Sequence, residues 1–150
     1  MRRAIKHHPC GHWPAGDAAA AITLAWNDRH RRRILLTDDA GAEFLLDLPQ
    51  AAVLAHGDGL ELDGGGWIAV QAAEEEVAEL FPPTPEALAR IAWAVGNRHM
   101  PVQVLSGGGL RLPWDHVLAH MIEHMGAKVA KRRAAFQPDS GAYAGHGHEH

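Results

Sequence analysis

Apolar positions fall in two rhythms along the chain. Up to about residue 72 they form short runs between turn signals. Residues 21–26 are apolar and partly β-branched and end at Asn27-Asp28; residues 31–37 carry Ile34, Leu35 and Leu36 and end at Asp38-Asp39-Ala40-Gly41. Residues 43–48 make a further strand. Pro49 marks its end, because proline cannot donate to a ladder. His56-Gly57-Asp58-Gly59 and Asp63-Gly64-Gly65-Gly66 are turns around a short strand at residues 60–62, and residues 67–71 close the run. Short strands at near-regular spacing predict a small all-β domain over residues 1–72.

The second half changes rhythm. Residues 75–81 read as a strand, interrupted by Pro82-Pro83. Thr84-Pro85-Glu86 is a helix start, with threonine as cap, proline at the first helical position and glutamate in the first turn. Leu88, Ile91, Ala92 and Val95 recur at helical spacing, and Gly96 and Asn97 can take the left-handed conformation that stops a helix. Residues 102–105 and 110–112 make two strands around Gly107-Gly108-Gly109. Trp114-Asp115 opens a second helix with the stripe Val117, Leu118, Met121, Ile122 and Met125, and Gly126 stops it. Residues 127–136 are a last strand carrying Lys128, Lys131, Arg132 and Arg133. The order β-α-β-β-α-β is ferredoxin-like, with two helices over one face of a four-stranded antiparallel sheet. The fold class is therefore α+β: a β domain at 1–72, a ferredoxin-like domain at 73–143, and a flexible tail at 144–150, with residues 145–150 expected to be disordered.

Composition narrows the setting. The chain has 150 residues, 47% hydrophobic and 21% charged, with a formal charge of −4, so nothing general attracts nucleic acid or an anionic membrane. No apolar run approaches the roughly 20 residues of a membrane span. The basic residues at the start precede no apolar segment of a signal peptide. The single cysteine excludes an internal disulfide and fits a reducing compartment, so a cytoplasmic protein is expected. Histidine is the unusual figure: twelve, against one tyrosine. Imidazole is the commonest metal ligand, so the positions of these histidines decide what they can do.

His7, His8, Cys10 and His12 are dense, but no second cluster pairs with them at finger-like spacing. The favoured reading is a mobile N-terminal arm, with binding of a soft or borderline metal as the alternative. Arg29, Arg31, Arg32 and Arg33 read as the solvent side of a strand, with a docking patch for an acidic partner as the alternative. His99 lies in a loop just past a helix end. Two readings stand for it: a capping histidine bonded to a helix carbonyl, or a metal ligand whose partner is the same residue of a second chain across a two-fold axis. His116, His120 and His124 lie four residues apart along one side of a helix, and a pair at that spacing can share a metal ion. For His120 and His124 a solvent-facing stripe is expected; His116, in the first turn beside Asp115, is the stronger ligand candidate. His120-Met121-Ile122-Glu123-His124 also matches the inverted zinc-peptidase pattern, which needs a third ligand and a cleft that so short a helix gives little room for. In the tail, His146, His148 and His150 alternate with other residues and can wrap nickel, copper or zinc loosely and reversibly.

With these residues in hand, the chain resembles the urease accessory protein UreE family of nickel metallochaperones. The resemblance rests on Gly96-Asn97-Arg98-His99, Pro101, Gln103, Asp115-His116-Val117-Leu118, Gly126-Ala127, Phe136-Gln137-Pro138, Gly141-Ala142-Tyr143 and the histidine-ended tail. It continues in the front half through Leu24-Ala25-Trp26, Arg29, Arg33, Leu48-Pro49, Val53-Leu54 and Gly57-Asp58-Gly59-Leu60. It implies a partner- or peptide-binding-like β domain, a ferredoxin-like metal domain and a homodimer. His99 would ligate Ni2+ at the dimer interface, His116 would be a further ligand, and His146, His148 and His150 would add to the set. Nickel would pass to the urease-activating GTPase complex and on to apo-urease. Two departures stand out: Trp114 occupies a position where some members carry histidine, and the tail is short beside the histidine tracts of others. The rival readings are a general nickel, zinc or copper buffer without a urease role, an assembly module whose metal binding is incidental, and the peptidase.

Overall fold

The computed structural model describes residues 1–139 and divides into two compact units, Met1–Ala73 and a second beginning at Glu74. The first is a mixed six-stranded sheet made of β1 (Arg2–His8), β2 (Ala18–Leu24), β3 (His30–Thr37), β4 (Glu43–Val53), β5 (Gly59–Leu62) and β6 (Trp67–Ala72), in the order β2-β6-β5-β1-β4-β3. Alternation along β4 buries Phe44, Leu46 and Leu48, which pack with Ile22, Leu60, Ile68 and Val70 in one core.

Three expectations fail in this unit. The expected N-terminal arm is instead an interior strand: β1 runs parallel to β4 and antiparallel to β5. Its sequence hid this because Ala4 is its only fully buried apolar residue. Polar pairs hold it in their place. Arg2 reaches Asp38 at 2.7 Å, Arg3 reaches Asp47 at 3.2 Å, His7 meets Asp58 at 2.5 Å and His8 meets Glu61 at 2.9 Å. Beyond the strand, the Cys10 amide donates to Asp58 Oδ1 and Trp13 Nε1 donates to the Gly57 carbonyl, so residues 9–13 are anchored too.

Secondly, β4 continues through Pro49 to Val53. The register against β3 shifts between Arg33–Asp47 and Arg31–Ala52, so Pro49 sits exposed in a bulge where it removes no ladder hydrogen bond. Thirdly, Arg29 is not on the solvent side of a strand. It is 1% exposed, with its guanidinium carbon 5.5 Å from the Trp26 ring centroid, while Arg31 is half-buried and pairs with Asp28.

The carboxylates of this unit are tuned by their partners. Burial pushes the Asp58 carboxyl up, but hydrogen bonds from His7 and from the Ala55 and Cys10 amides outweigh it and hold the group below its ordinary value. Asp38 is also held low, first by the Ala42 amide and then by Arg2.

The second unit comprises β7 (Glu74–Leu80), α1 (Pro85–Asn97), β8 (Gln103–Val104), β9 (Leu110–Pro113), α2 (His116–His124) and β10 (Val129–Ala135). Its sheet order is β10-β7-β9-β8, and every neighbouring pair is antiparallel. This is the ferredoxin-like arrangement, and the fold class is α+β. Ile91 and Val95 of α1 and Leu118 and Ile122 of α2 pack with Ala78, Leu80 and Leu112 of the sheet. Buried Glu79 accepts from Arg111 at 2.6 Å and pairs with Arg132 at 3.1 Å, which neutralises a charge inside the sheet. Among the described residues no helix is long and apolar enough to cross a membrane.

Candidate metal centre

Both helices of the second unit begin and end on recognisable local chemistry, and the candidate ligands sit at those ends. Thr84 caps α1, its hydroxyl accepting from the Ala87 amide at 3.1 Å, with Pro85 as the first helical residue. At the far end the Met100 amide donates back to the Val95 carbonyl at 3.4 Å, and the His99 amide donates to Gly96 at 3.0 Å. This six-to-one and five-to-two pair is a Schellman motif, and it places His99 at the residue that must be left-handed. His99 has φ +58°, and it is the sole non-glycine residue with positive φ among the described residues.

The expectation that Gly96 or Asn97 would take this conformation is therefore corrected: Asn97 is still helical and Gly96 has no positive φ. The apolar closure decides the matter. Val95 is buried and Met100 packs against the same core, so the helix runs on until Met100 can close over Val95. Backbone amides complete the cap. The exposed His99 ring is not needed for it and is left free for other chemistry.

His116 is the first residue of α2 and is exposed. Asp115 precedes it as the cap, with Oδ1 accepting from the Leu118 amide at 2.8 Å. Further along α2, His120 and His124 are both exposed, with their Nε2 atoms 3.2 Å apart. Trp114 is half-buried, with Lys131 Nζ 4.9 Å from its ring centroid. Among the described residues, no group of three or more His, Cys, Asp or Glu side chains converges as a metal cage, so the third ligand of the peptidase pattern is not found there. His146, His148 and His150 lie outside the described residues. The segment leading to them is fixed as far as Asp139. The Gln137 amide donates to Gln103 Oε1 at 2.9 Å, the Asp139 amide donates to the Val102 carbonyl at 2.8 Å, and Asp139 Oδ1 accepts from the Val104 amide. The chain thus leaves the described region beside the residues that follow His99.

The sequence reading did not single out Trp93. It is 71% exposed on α1 and lines an apolar hollow with Ala89, Arg90, Ala94 and Met125. The signal was there, since Trp93 falls off the Leu88–Ile91–Ala92–Val95 stripe and so had to face outward.

The structure defines a two-module α+β protein, a β module followed by a ferredoxin-like module with exposed imidazoles at its helix ends. The model of the UreE urease accessory protein N-terminal domain matches residues 2–73, and that of the C-terminal domain matches residues 75–150. The chain is 43% identical over 152 aligned positions to the urease accessory protein UreE of Beijerinckia indica, covering all of this chain and 86% of that protein. It is 44% identical over 144 positions to the UreE of Rhodopseudomonas palustris strain HaA2, covering 96% of this chain and 66% of that one. Against the UreE of Bradyrhizobium sp. strain ORS 278 it is 44% identical over 133 positions, covering 89% of this chain and 63% of that protein. The chain belongs to the UreE urease accessory protein family, and its role is that of a urease accessory protein and not of an enzyme.

Proposed function

We propose that this chain is a homodimeric nickel metallochaperone that carries Ni2+ to the urease active site during assembly. The observation that carries the reading is His99. A residue with a Cβ costs about 1–2 kcal/mol in the left-handed conformation where glycine costs nothing. A histidine held there with its ring in solvent is strain kept at a functional position. The exposed apolar surface around Trp93, two turns before His99 on α1, supplies the contact for a second copy. Two-fold symmetry at this end of α1 would pair one His99 with the partner's, giving two imidazoles from one sequence position.

The tail completes the proposal. Asp139 is bonded to Val102, three residues beyond His99, and six residues lie between Asp139 and His146. A fully extended chain of that length spans at most about 25 Å, so His146, His148 and His150 are on a tether long enough to reach the His99 region as additional ligands. His116 is a further ligand in this reading. Neutral imidazoles bind nickel, zinc and copper alike, so the in vivo choice of Ni2+ rests on delivery to a cytoplasmic accessory GTPase complex and apo-urease. Calorimetric nickel titration of the wild type and of His99→Ala, with the mass of the assembly measured alongside, tests this. One tightly bound ion per dimer, lost in His99→Ala, is expected. Tight binding that survives the substitution would refute it.

A further inference from the structure

We propose that His120 and His124 form a second, exchangeable site for a borderline divalent cation, one per chain, separate from His99. This goes beyond the nickel-chaperone reading and does not rest on it. The two rings stand edge to face, with centroids 4.7 Å apart and planes at 82°, and their Nε2 atoms are 3.2 Å apart. Imidazole nitrogens bind such ions at about 2.0–2.1 Å. Two nitrogens 3.2 Å apart and each about 2.1 Å from a common ion subtend an angle of about 100°, between the right angle of octahedral or square coordination and the tetrahedral value. The rings are therefore already set at the spacing of adjacent ligands on one ion.

Two further features favour a cation there. The shallow hollow that His120 and His124 line is shared by Glu123, whose carboxylate supplies negative charge beside the nitrogens. His124 lies in the last turn of α2, at the negative end of the helix's aligned peptide dipoles. With both rings neutral and protonated on Nδ1, both Nε2 lone pairs meet the ion and no proton need lie between them. Two protein ligands leave the remaining positions to water, so the ion exchanges readily.

The test uses the full-length chain with His99, His146, His148 and His150 all replaced by alanine, so that only other sites remain. Ni2+ and Cu2+ are titrated in turn, followed by calorimetry and by paramagnetic broadening of the histidine Hε1 signals, with helix content checked by circular dichroism. The expected result is saturable uptake of one ion per chain, with the His120 and His124 signals broadening together. Adding His124→Ala should weaken binding at least about tenfold, because a chelate becomes a single ligand. Absence of saturable binding, broadening at His116 without His124, or an affinity unchanged by His124→Ala would overturn the proposal. None of these outcomes bears on the His99 reading, since the background variant already lacks that residue.

Discussion

The two helices of the ferredoxin-like unit end in the same way, with one difference. At the end of α2 the Ala127 amide donates to the Ile122 carbonyl at 3.4 Å and the Gly126 amide donates to Glu123 at 3.0 Å, matching the distances at the end of α1. In both motifs an apolar residue closes over a buried one: Met100 over Val95, and Ala127 over Ile122. The left-handed position is filled by Gly126 with φ +95° in α2 and by His99 with φ +58° in α1. One module thus shows both what stability alone selects at this position and what stands there instead. Nothing in the packing of α1 calls for an imidazole, and the proposed ligand role would give the ring its reason for being there.

The largest expected effect comes from breaking the functional side of this contrast. In the proposed site, His99→Ala removes a direct ligand. Loss of groups that merely orient a ligand costs about 10–100-fold in affinity, so nickel binding should fall at least about 100-fold. Isothermal calorimetry reads this. Breaking the structural side gives the next effect. A Cβ placed at Gly126 meets no atom within 4 Å, so Gly126→Ala suffers no clash and isolates backbone strain. The left-handed penalty of about 1–2 kcal/mol, reduced by the roughly 0.4–1 kcal/mol that alanine gains through a less disordered unfolded chain, leaves about 1 kcal/mol of destabilisation. Urea denaturation should show it, with nickel affinity at the His99 site unchanged. At the opposite ends of the helices, Asp115→Ala and Thr84→Ala should each cost about 1 kcal/mol by removing a cap. Only Asp115→Ala should also disturb His116, which heads α2, and histidine NMR signals would report that disturbance.

The last prediction is read from the acid range, lies in the other unit and serves as a control. Asp58 is held below its ordinary carboxyl value of 3.8, so the stability it lends is fully present above that pH and is lost as pH falls through the lower folded value. Asp58→Asn should flatten the acid limb of the first unit's unfolding profile below about pH 4. The His99 and Gly126 variants should leave that limb unchanged.

The difference between the helix ends also explains what could be read from the sequence. The ferredoxin-like order, both caps and the Gly126 stop were legible, because helical spacing, Thr84 and Asp115, and a glycine after an apolar stripe are all local signals. The end of α1 was misread by two residues because Gly96-Asn97 mimics such a stop, while the true one is set by a contact between Val95 and Met100 that no local pattern displays. β1 was missed for a related reason. Its stability comes from partners 36 to 53 residues away, among them Asp38, Asp58 and Glu61, and its own sequence shows no apolar alternation. His99 and His116 were recognisable as candidates from residue type and position. The backbone strain at His99 was not, because a φ angle is a property of the folded chain.

Replacing His99 by glycine tests the account most directly, because it converts the end of α1 into the end of α2. Relief of the left-handed strain exceeds the entropy that glycine adds to the unfolded chain by about 0.5–1 kcal/mol. A domain of this size should then melt about 2–8 °C higher in the absence of metal. The account predicts that His99→Gly melts higher and has lost its tight nickel ion in the same preparation. A variant that still binds one nickel ion per dimer with wild-type affinity, or that melts lower without metal, would contradict it.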